Sequence, residues 1–464
     1  MNIVQYFVDN STDFFNASIQ KFLNQEISLA DLTKQLQEFL NTIGKTTVSM
    51  LLEHADEMMY RTEKQQHQYH VKAKRPRTLV TVFGEVTYTR RYYQRIADGT
   101  YHYLLDEWGS VQPYTRVEPY CQAQLVAHTA YVSYRKAVAL TIPGQLSPQS
   151  VLHAIRAVGT IPNEAAALPA PQADIGHVYV EADEDHIALQ RGKTKEMKLI
   201  TVYESKKTVC KGRRKLVGKR TFTGFETSSE LWKAVNEYIG TQYGEHGMPQ
   251  VMIKGDGARW IQSGTTYVSN SQSVIDGYHA SKYLLKIAGK GKRTALYTAL
   301  QNNNKAAFTQ EVERKSKASP SRVKQITEGS AYILKHWDGI RETMGNPLAA
   351  SSTEGHVSHV LADRMSSRGM GWSVLGAEQV ARLRTYAENG GDIQAYAIKK
   401  LTHQQKKTSI PAIDTEELKK QMQKHLLPYC TYIPEQAHLM PGSESTLYGG
   451  WMRHIENGGF NHIM

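Results

Sequence analysis

Cysteine is nearly absent: Cys121, Cys210 and Cys430 are the only three in 464 residues, and no two form a CxxC pair. That excludes a zinc knuckle and a disulfide framework, and leaves reduced thiols in a cytoplasmic protein as the simplest reading. Long apolar runs are missing too. None approaches the roughly 18 residues of a membrane span, so no membrane partner is expected. The opening MNIVQYFVDNSTDFFNAS carries early acids and no basic-then-apolar order, so a signal peptide is not expected. No Ser/His/Asp triad, phosphate-cradling glycine-rich loop or redox motif stands out, so neither ATP use nor a nucleotide cofactor is implied. Acidic charge is in deficit: 44 Asp and Glu stand against 56 Lys and Arg, a net +12. A sequence pI near 9.3 favours a polyanionic partner, most simply DNA or RNA.

The rest of the composition is that of a globular chain, 40% apolar and 22% charged, and its length allows several domains. Residues 1–75 read as helical. Leu29, Leu32 and Leu36 recur at helical spacing behind a Ser28 cap, and Asp31 completes a capping box. Residues 76–112 change to a period of two, and TLVTVFGEVTYTRRYYQ reads as a β-hairpin broken at Phe83-Gly84-Glu85. Its Arg90, Arg91, Tyr92 and Tyr93 suit either DNA contact or aromatic packing. Residues 113–160 follow a helix-turn-helix order, with Ser147 as a cap, Pro148 in the first turn, and His153 and Arg156 on the outer face. The Pro- and Ala-rich stretch 161–173 reads as a linker.

Beyond it the pattern becomes α/β over 174–285: three strands, a helix capped at Ser229, a fourth strand, then a strand running into a helix. A basic helical insertion fills 286–345, a second part of the same core 346–385, and 386–464 has no legible role. Twelve Lys and Arg crowd residues 191–220 against two Glu. Arg213, Arg214 and Lys215 within that stretch suit a phosphate backbone, or a plain solvated face. The expected class is therefore multidomain α+β.

Three acids end strands or open a polar motif: Asp183 in HVYVEADEDHIALQ, Asp256 in VMIKGDGARW and Glu354 in SSTEGHVSHVLADRMSSRGMGW. Asp185 shares the strand parity of Asp183 and competes for the first place; the apolar run VYVEA ends at Asp183, which favours it. Each acid also has a plain structural reading, as a turn residue, a cap or a first-turn acid. Together they suit divalent metal. Mg²⁺ takes oxygen ligands, and two such ions can activate the attacking oxygen of a phosphodiester and stabilise the leaving one. Asp276 and His279 sit at a strand-to-helix junction and suit either a cap or a place beside the scissile strand. After Glu354, Arg364 and Arg368 recur at helical spacing and suit phosphates. Trp260 and Trp372 suit stacking on an unpaired base, or the core.

These segments resemble one family in combination. TLVTVFGEVTYTRRYY, SPQSVLHAIRAVG, VYVEADEDHIALQ, IKGDGARWI, VIDGYHASKYL and STEGHVSHVLADRMSSRGMGWS are similar to the ISLre-type insertion-sequence transposases, and more distantly to the Mutator-like DDE transposases. The resemblance implies an RNase H-like catalytic core with a helical insertion before the last glutamate. It implies Asp183, Asp256 and Glu354 as ligands of two Mg²⁺ or Mn²⁺ ions. It also implies cleavage of double-stranded DNA at terminal inverted repeats and strand transfer into target DNA by a homo-oligomer at the bacterial nucleoid. Asp276-x-x-His279 matches the Mutator-like pattern of Cys or Asp, two residues, then His. The Asn that often precedes the glutamate in distant relatives is absent here. Two other readings stay open: a non-catalytic sequence-specific DNA-binding protein with a nuclease-like fold, and a repair or recombination nuclease.

Overall fold

The computed structural model describes residues 3–169, 175–210, 213–245, 247–289, 293–344, 355, 357–367 and 369–402. The described chain is mixed α+β and splits after Glu118 into two units, each treated alone. No described helix is long and apolar enough to cross a membrane.

The first unit begins with helices Ile3–Leu23 and Leu29–Gln66. The capping box expected at Ser28 and Asp31 is present. The hairpin strands β1 (Tyr69–Thr81) and β2 (Gly84–Arg95) turn where Gly84 stands at φ +125°, and β3 (Tyr101–His102) adds a short third strand. The hairpin thus starts at Tyr69, earlier than the sequence pattern suggests, because the polar run YHVKAKRPR shows no apolar alternation. The long helix closes the free edge of β2. Ser49 Oγ donates to the Thr87 carbonyl at 2.7 Å, Glu53 accepts from Thr89 N–H at 2.8 Å, and Asp56 accepts from Arg91 N–H at 3.0 Å. An edge left open would invite pairing with another chain.

The second unit is built on a five-stranded sheet of β4 (His177–Ala188), β5 (Thr194–Tyr203), β8 (Arg220–Gly224), β9 (Gln250–Gly255) and β10 (Ser271–Ile275). Their order in space is β10-β9-β4-β5-β8. A separate hairpin of β6 (Ser205–Cys210) and β7 (Arg213–Val217) interrupts the run between β5 and β8. β4, β5 and β8 are antiparallel; β4, β9 and β10 are parallel. One face carries Val178, Val180, Ile200, Val202, Val251 and Ile253 and is covered by helix Ser228–Tyr243. The cap of that helix is Thr227 with Glu230, two residues before the expected Ser229, which lies inside the helix. On the other face, Ile187, Met197 and Leu199 pack against Ser358–Ala362 and helix Val374–Glu388.

Four helices between Thr294 and Met344 join helix Gly277–Ala288 in a core of their own around Trp337, Phe308 and Ile287. These four helices fall in the stretch 286–345 that the sequence reads as helical. The helices Pro119–Thr129, Tyr134–Thr141 and Pro148–Val158 belong to this second unit, and His153 and Arg156 are exposed on the last of them. Ser147 stands at its cap position but its side chain makes no cap hydrogen bond.

The expected linker is corrected over its described part, 161–169. Ile161 and Asn163 are buried, and Asn163 pairs with both the N–H and the carbonyl of Thr223, at 3.1 and 3.3 Å. Asn389 does the same to Thr221, at 2.8 Å each. Two asparagine side chains thus occupy the outer edge of β8. Arg220, read in sequence as part of a phosphate-facing run, is buried and donates to the carbonyls of Asn163 and Ala166 instead.

Candidate active site

Strand register sets the first two acids side by side. The β4–β9 ladder pairs each residue with the one 73 positions on, His177 with Gln250 through Glu181 with Lys254, and Asp183 and Asp256 keep that same separation. The β9–β10 ladder steps by 20, Val251 with Ser271 through Gly255 with Ile275, and Asp256 and Asp276 continue it. Asp183, Asp256 and Asp276 therefore lie in one row across three adjacent parallel strands, where neighbouring chains run about 4.8 Å apart. The Asp276 N–H still bonds the Gly255 carbonyl at 3.0 Å, so the row holds beyond the ladder's last pair.

Each acid has its local cause. Asp183 is half-buried inside β4. Burial pushes its carboxyl up to about 7; the charges of Glu184 and Asp256 push the same way, against the Glu184 N–H and His279. Asp256 begins the turn after β9, where its Oδ1 accepts from Ala258 N–H at 2.7 Å. Gly257 follows at φ +88°, and a Cβ there would stand 2.7 Å from the His336 ring. We expect Gly257→Ala to lower stability by about 1–3 kcal/mol in thermal unfolding. An unchanged midpoint would show that the turn relaxes freely.

Asp276 caps helix Gly277–Ala288, accepting from the His279 N–H at 2.8 Å, and its other oxygen takes the His279 Nδ1 proton, also at 2.8 Å. A carboxylate only accepts, so Nδ1 carries the proton. Burial opposes charge on that imidazole, but the Asp276 bond and charge, with Asp256 and Asp183, raise its pKa. His279 thus stands beside three aspartates that favour its charged form.

Further groups missed in sequence complete the site. Glu184 accepts from Trp260 Nε1 at 2.5 Å, and burial, with the charge of Asp256, raises its pKa. Tyr332, from helix Val323–Lys335, donates to the Asp256 carbonyl at 2.5 Å. Behind the acid row lies a buried pair, Glu181 and Lys254, bridged by Tyr203. Lys206 also reaches Glu181, at 3.0 Å. Burial draws the Lys254 ammonium down to about 8. The four acids crowded into VEADEDH were the one signal for Glu184; Tyr332 had none.

The donor set fits a hard divalent cation in kind. It consists of carboxylate oxygens, and Asp185 Oδ2, on the same strand parity as Asp183, is enclosed without a hydrogen-bond partner among the described residues. It is incomplete in number: no group of three or more His, Cys, Asp or Glu is placed to hold a metal among the described residues. Glu354 and Arg368 lie outside the described residues.

Two expected DNA contacts are corrected. Arg364 is 2% exposed; it donates to the Thr129 carbonyl at 3.1 Å and lies 4.8 Å from the centre of the Trp372 ring. Trp372 is buried and donates to the Met365 carbonyl. Both hold the second unit together, because desolvation and internal partners leave neither facing solvent. Arg364→Met is expected to cost about 1–3 kcal/mol in urea unfolding. An unchanged midpoint in that variant would show that the buried guanidinium does not hold these segments together. Trp260 is half-buried, its ring near Trp232. Arg214 and Lys215 are exposed on the β6–β7 hairpin; nothing is described of the Arg213 side chain.

Residues 22–402 match the Uncharacterised protein family (UPF0236). The chain belongs to the UPF0236 family. Similar members come from Caldanaerobacter subterraneus subsp. tengcongensis. The UPF0236 protein TTE2489 is 30% identical over 398 residues, covering 84% of this chain and 85% of that protein. The UPF0236 protein TTE0402 is 30% identical over 397 residues, covering 83% and 80%. A third, also 30% identical over 398 residues and covering 83% and 84%, carries a name that joins eleven designations, from TTE0033 to TTE2212.

Proposed function

We propose that this UPF0236 protein is a DDE-type transposase of a bacterial insertion sequence, cleaving DNA at element ends and joining them to target DNA. The observation that carries the reading is the single row of Asp183, within β4, and Asp256 and Asp276, just past the carboxyl ends of β9 and β10, with His279 beside them. Three further features support it. The five strands stand in space as third, second, first, fourth, fifth, with a helix between the third and fourth, which is the order of an RNase H-like core. A helical insertion follows the fifth strand. A relative named under eleven designations in one organism is what a gene copied many times in a genome would produce.

In this reading Asp183 and Asp256, with Glu354, hold two Mg²⁺ or Mn²⁺ ions, which when bound supply activation of the attacking oxygen and stabilisation of the leaving one. The protein's own part is placement. Parallel register fixes the separation of Asp183 and Asp256, and Gly257 with Tyr332 fixes the turn that presents Asp256. His279, with Nδ1 donating to Asp276, stands beside the acids that favour its charged form, where a scissile phosphate would lie. The exposed Arg214 and Lys215 suit backbone phosphates, which position DNA without reading sequence. A homo-oligomer at the nucleoid follows only from the resemblance.

The test is cleavage of a labelled duplex carrying the terminal inverted repeat, with Mg²⁺ and with chelator. Metal-dependent nicking at the repeat boundary supports the transposase. Binding without nicking favours a non-catalytic DNA-binding protein, and nicking indifferent to the repeat favours a repair nuclease.

A further inference from the structure

The sheet of the first unit carries a second constellation. Strands β1 and β2 hold seven basic residues and one acid, Glu85. Arg91 is turned to the long helix by Asp56 and Glu57. The others include a layer in which cations and rings alternate. The Arg75 guanidinium lies 4.5 Å from the Tyr92 ring centre, and Arg90 lies 3.8 Å from that of Tyr103. Tyr92 stacks on Tyr101 at 5.1 Å, with 9° between the planes, and leans on Tyr103 at 4.8 Å. These side chains line a cavity of about 560 Å³, within the range that holds a small ligand or a nucleoside.

Two tyrosines of the cavity face water. Tyr101 is 55% exposed and Tyr114 101% exposed, the latter on backbone at φ +61°. That conformation is uncommon for a bulky residue, and burial would ordinarily draw such rings inward. The acids nearby are already engaged: Asp106 by Arg77, Arg90 and Tyr88, and Glu107 by His102. Arg75 bonds the Tyr103 hydroxyl at 3.4 Å and has no carboxylate partner among the described residues. Its charge is therefore available to an anion.

Open ring faces beside a planar cation are the chemistry of an unstacked base and its phosphate. A duplex hides its base faces along its length; a single strand presents them. We propose that this tyrosine–arginine cavity binds single-stranded nucleic acid, stacking a base on Tyr101 and taking its phosphate on Arg75. The inference rests on the proposed function only in that the chain meets nucleic acid; it does not require the acid row to be catalytic.

The test uses the full chain and a labelled thymidine oligonucleotide, read by fluorescence anisotropy, beside a duplex of equal length. Tyr101→Ala is expected to weaken single-strand binding about tenfold or more and duplex binding little. Tyr101→Phe should restore it, because the ring is kept. Arg75→Ala should reduce the slope of log affinity against log salt by about 0.7. If Tyr101→Ala lowers the unfolding midpoint, Tyr114→Ala carries the test, since that ring is fully exposed. Wild-type protein that ignores the single strand overturns the proposal. So do tyrosine variants that bind it undiminished, or that lose duplex affinity equally. The affinities are read without metal, under which no nicking is expected, so loss of cleavage and loss of this site are separately visible.

Discussion

Asp256→Asn is expected to lower Mg²⁺-dependent cleavage of an element-end duplex about a thousandfold or more, while its affinity for that duplex changes by less than about a factor of two. Asparagine keeps the shape of aspartate, and its amide oxygen still accepts from the Ala258 N–H, so the turn before Gly257 is preserved. What is lost is one charge from a row whose other members cannot replace it. Asp276 gives both its oxygens to His279, and Asp183 stands across the register on β4. The fold should not suffer. Asp183 and Glu184 both feel the Asp256 charge as repulsion, so its removal relieves strain between neighbouring acids. Equal unfolding midpoints with abolished cleavage are the expected pair of results. Undiminished cleavage by Asp256→Asn would remove the acid row from the chemistry, and with it the reading of this protein as a DDE enzyme.

Asp106→Ala carries the largest expected effect on stability, about 3–5 kcal/mol. This carboxylate is 6% exposed and takes Arg77 at 2.5 Å, Arg90 at 2.8 Å and the Tyr88 hydroxyl at 3.1 Å. Truncation would leave two nearly buried guanidinium groups facing each other without a counter-charge. A buried ion cluster contributes little beyond what an apolar replacement would, but removing one partner leaves the full cost of the stranded charge. Asp106→Ala combined with Arg77→Met and Arg90→Met should therefore recover part of the loss. Chemical unfolding of the full chain reads both. A single variant that unfolds at the wild-type midpoint would mean that water reaches the guanidiniums. The same carboxylate lines the tyrosine cavity, so its loss should also disturb single-strand binding.

Parts of this architecture were legible because the signal was local. The Ser28 and Asp31 capping box needs only its own four residues. The apolar run of VYVEAD marks a strand buried on both faces. The cap at Asp276 could be read from its place before a helical pattern. Other features carried no local mark. The stretch after Ile161 looked like a linker because isolated residues do its work, with Asn163 bonding Thr223 sixty positions away. Arg364 looked like a phosphate contact because helical spacing does not show which face a helix buries; its partner is the carbonyl of Thr129, on a helix far back in the chain. Tyr332 reaches Asp256 from helix Val323–Lys335, and no spacing relates the two.

By itself the sequence determined the kinds of element, the order of strands and helices, the basic charge and the few acids that could meet a metal, because propensity, periodicity and composition are properties of neighbouring residues. Only the tertiary structure decided which of those acids share a row, which arginines face inward and where tyrosines and arginines gather. Those depend on strand register and on desolvation, and both are set by contacts between segments distant along the chain.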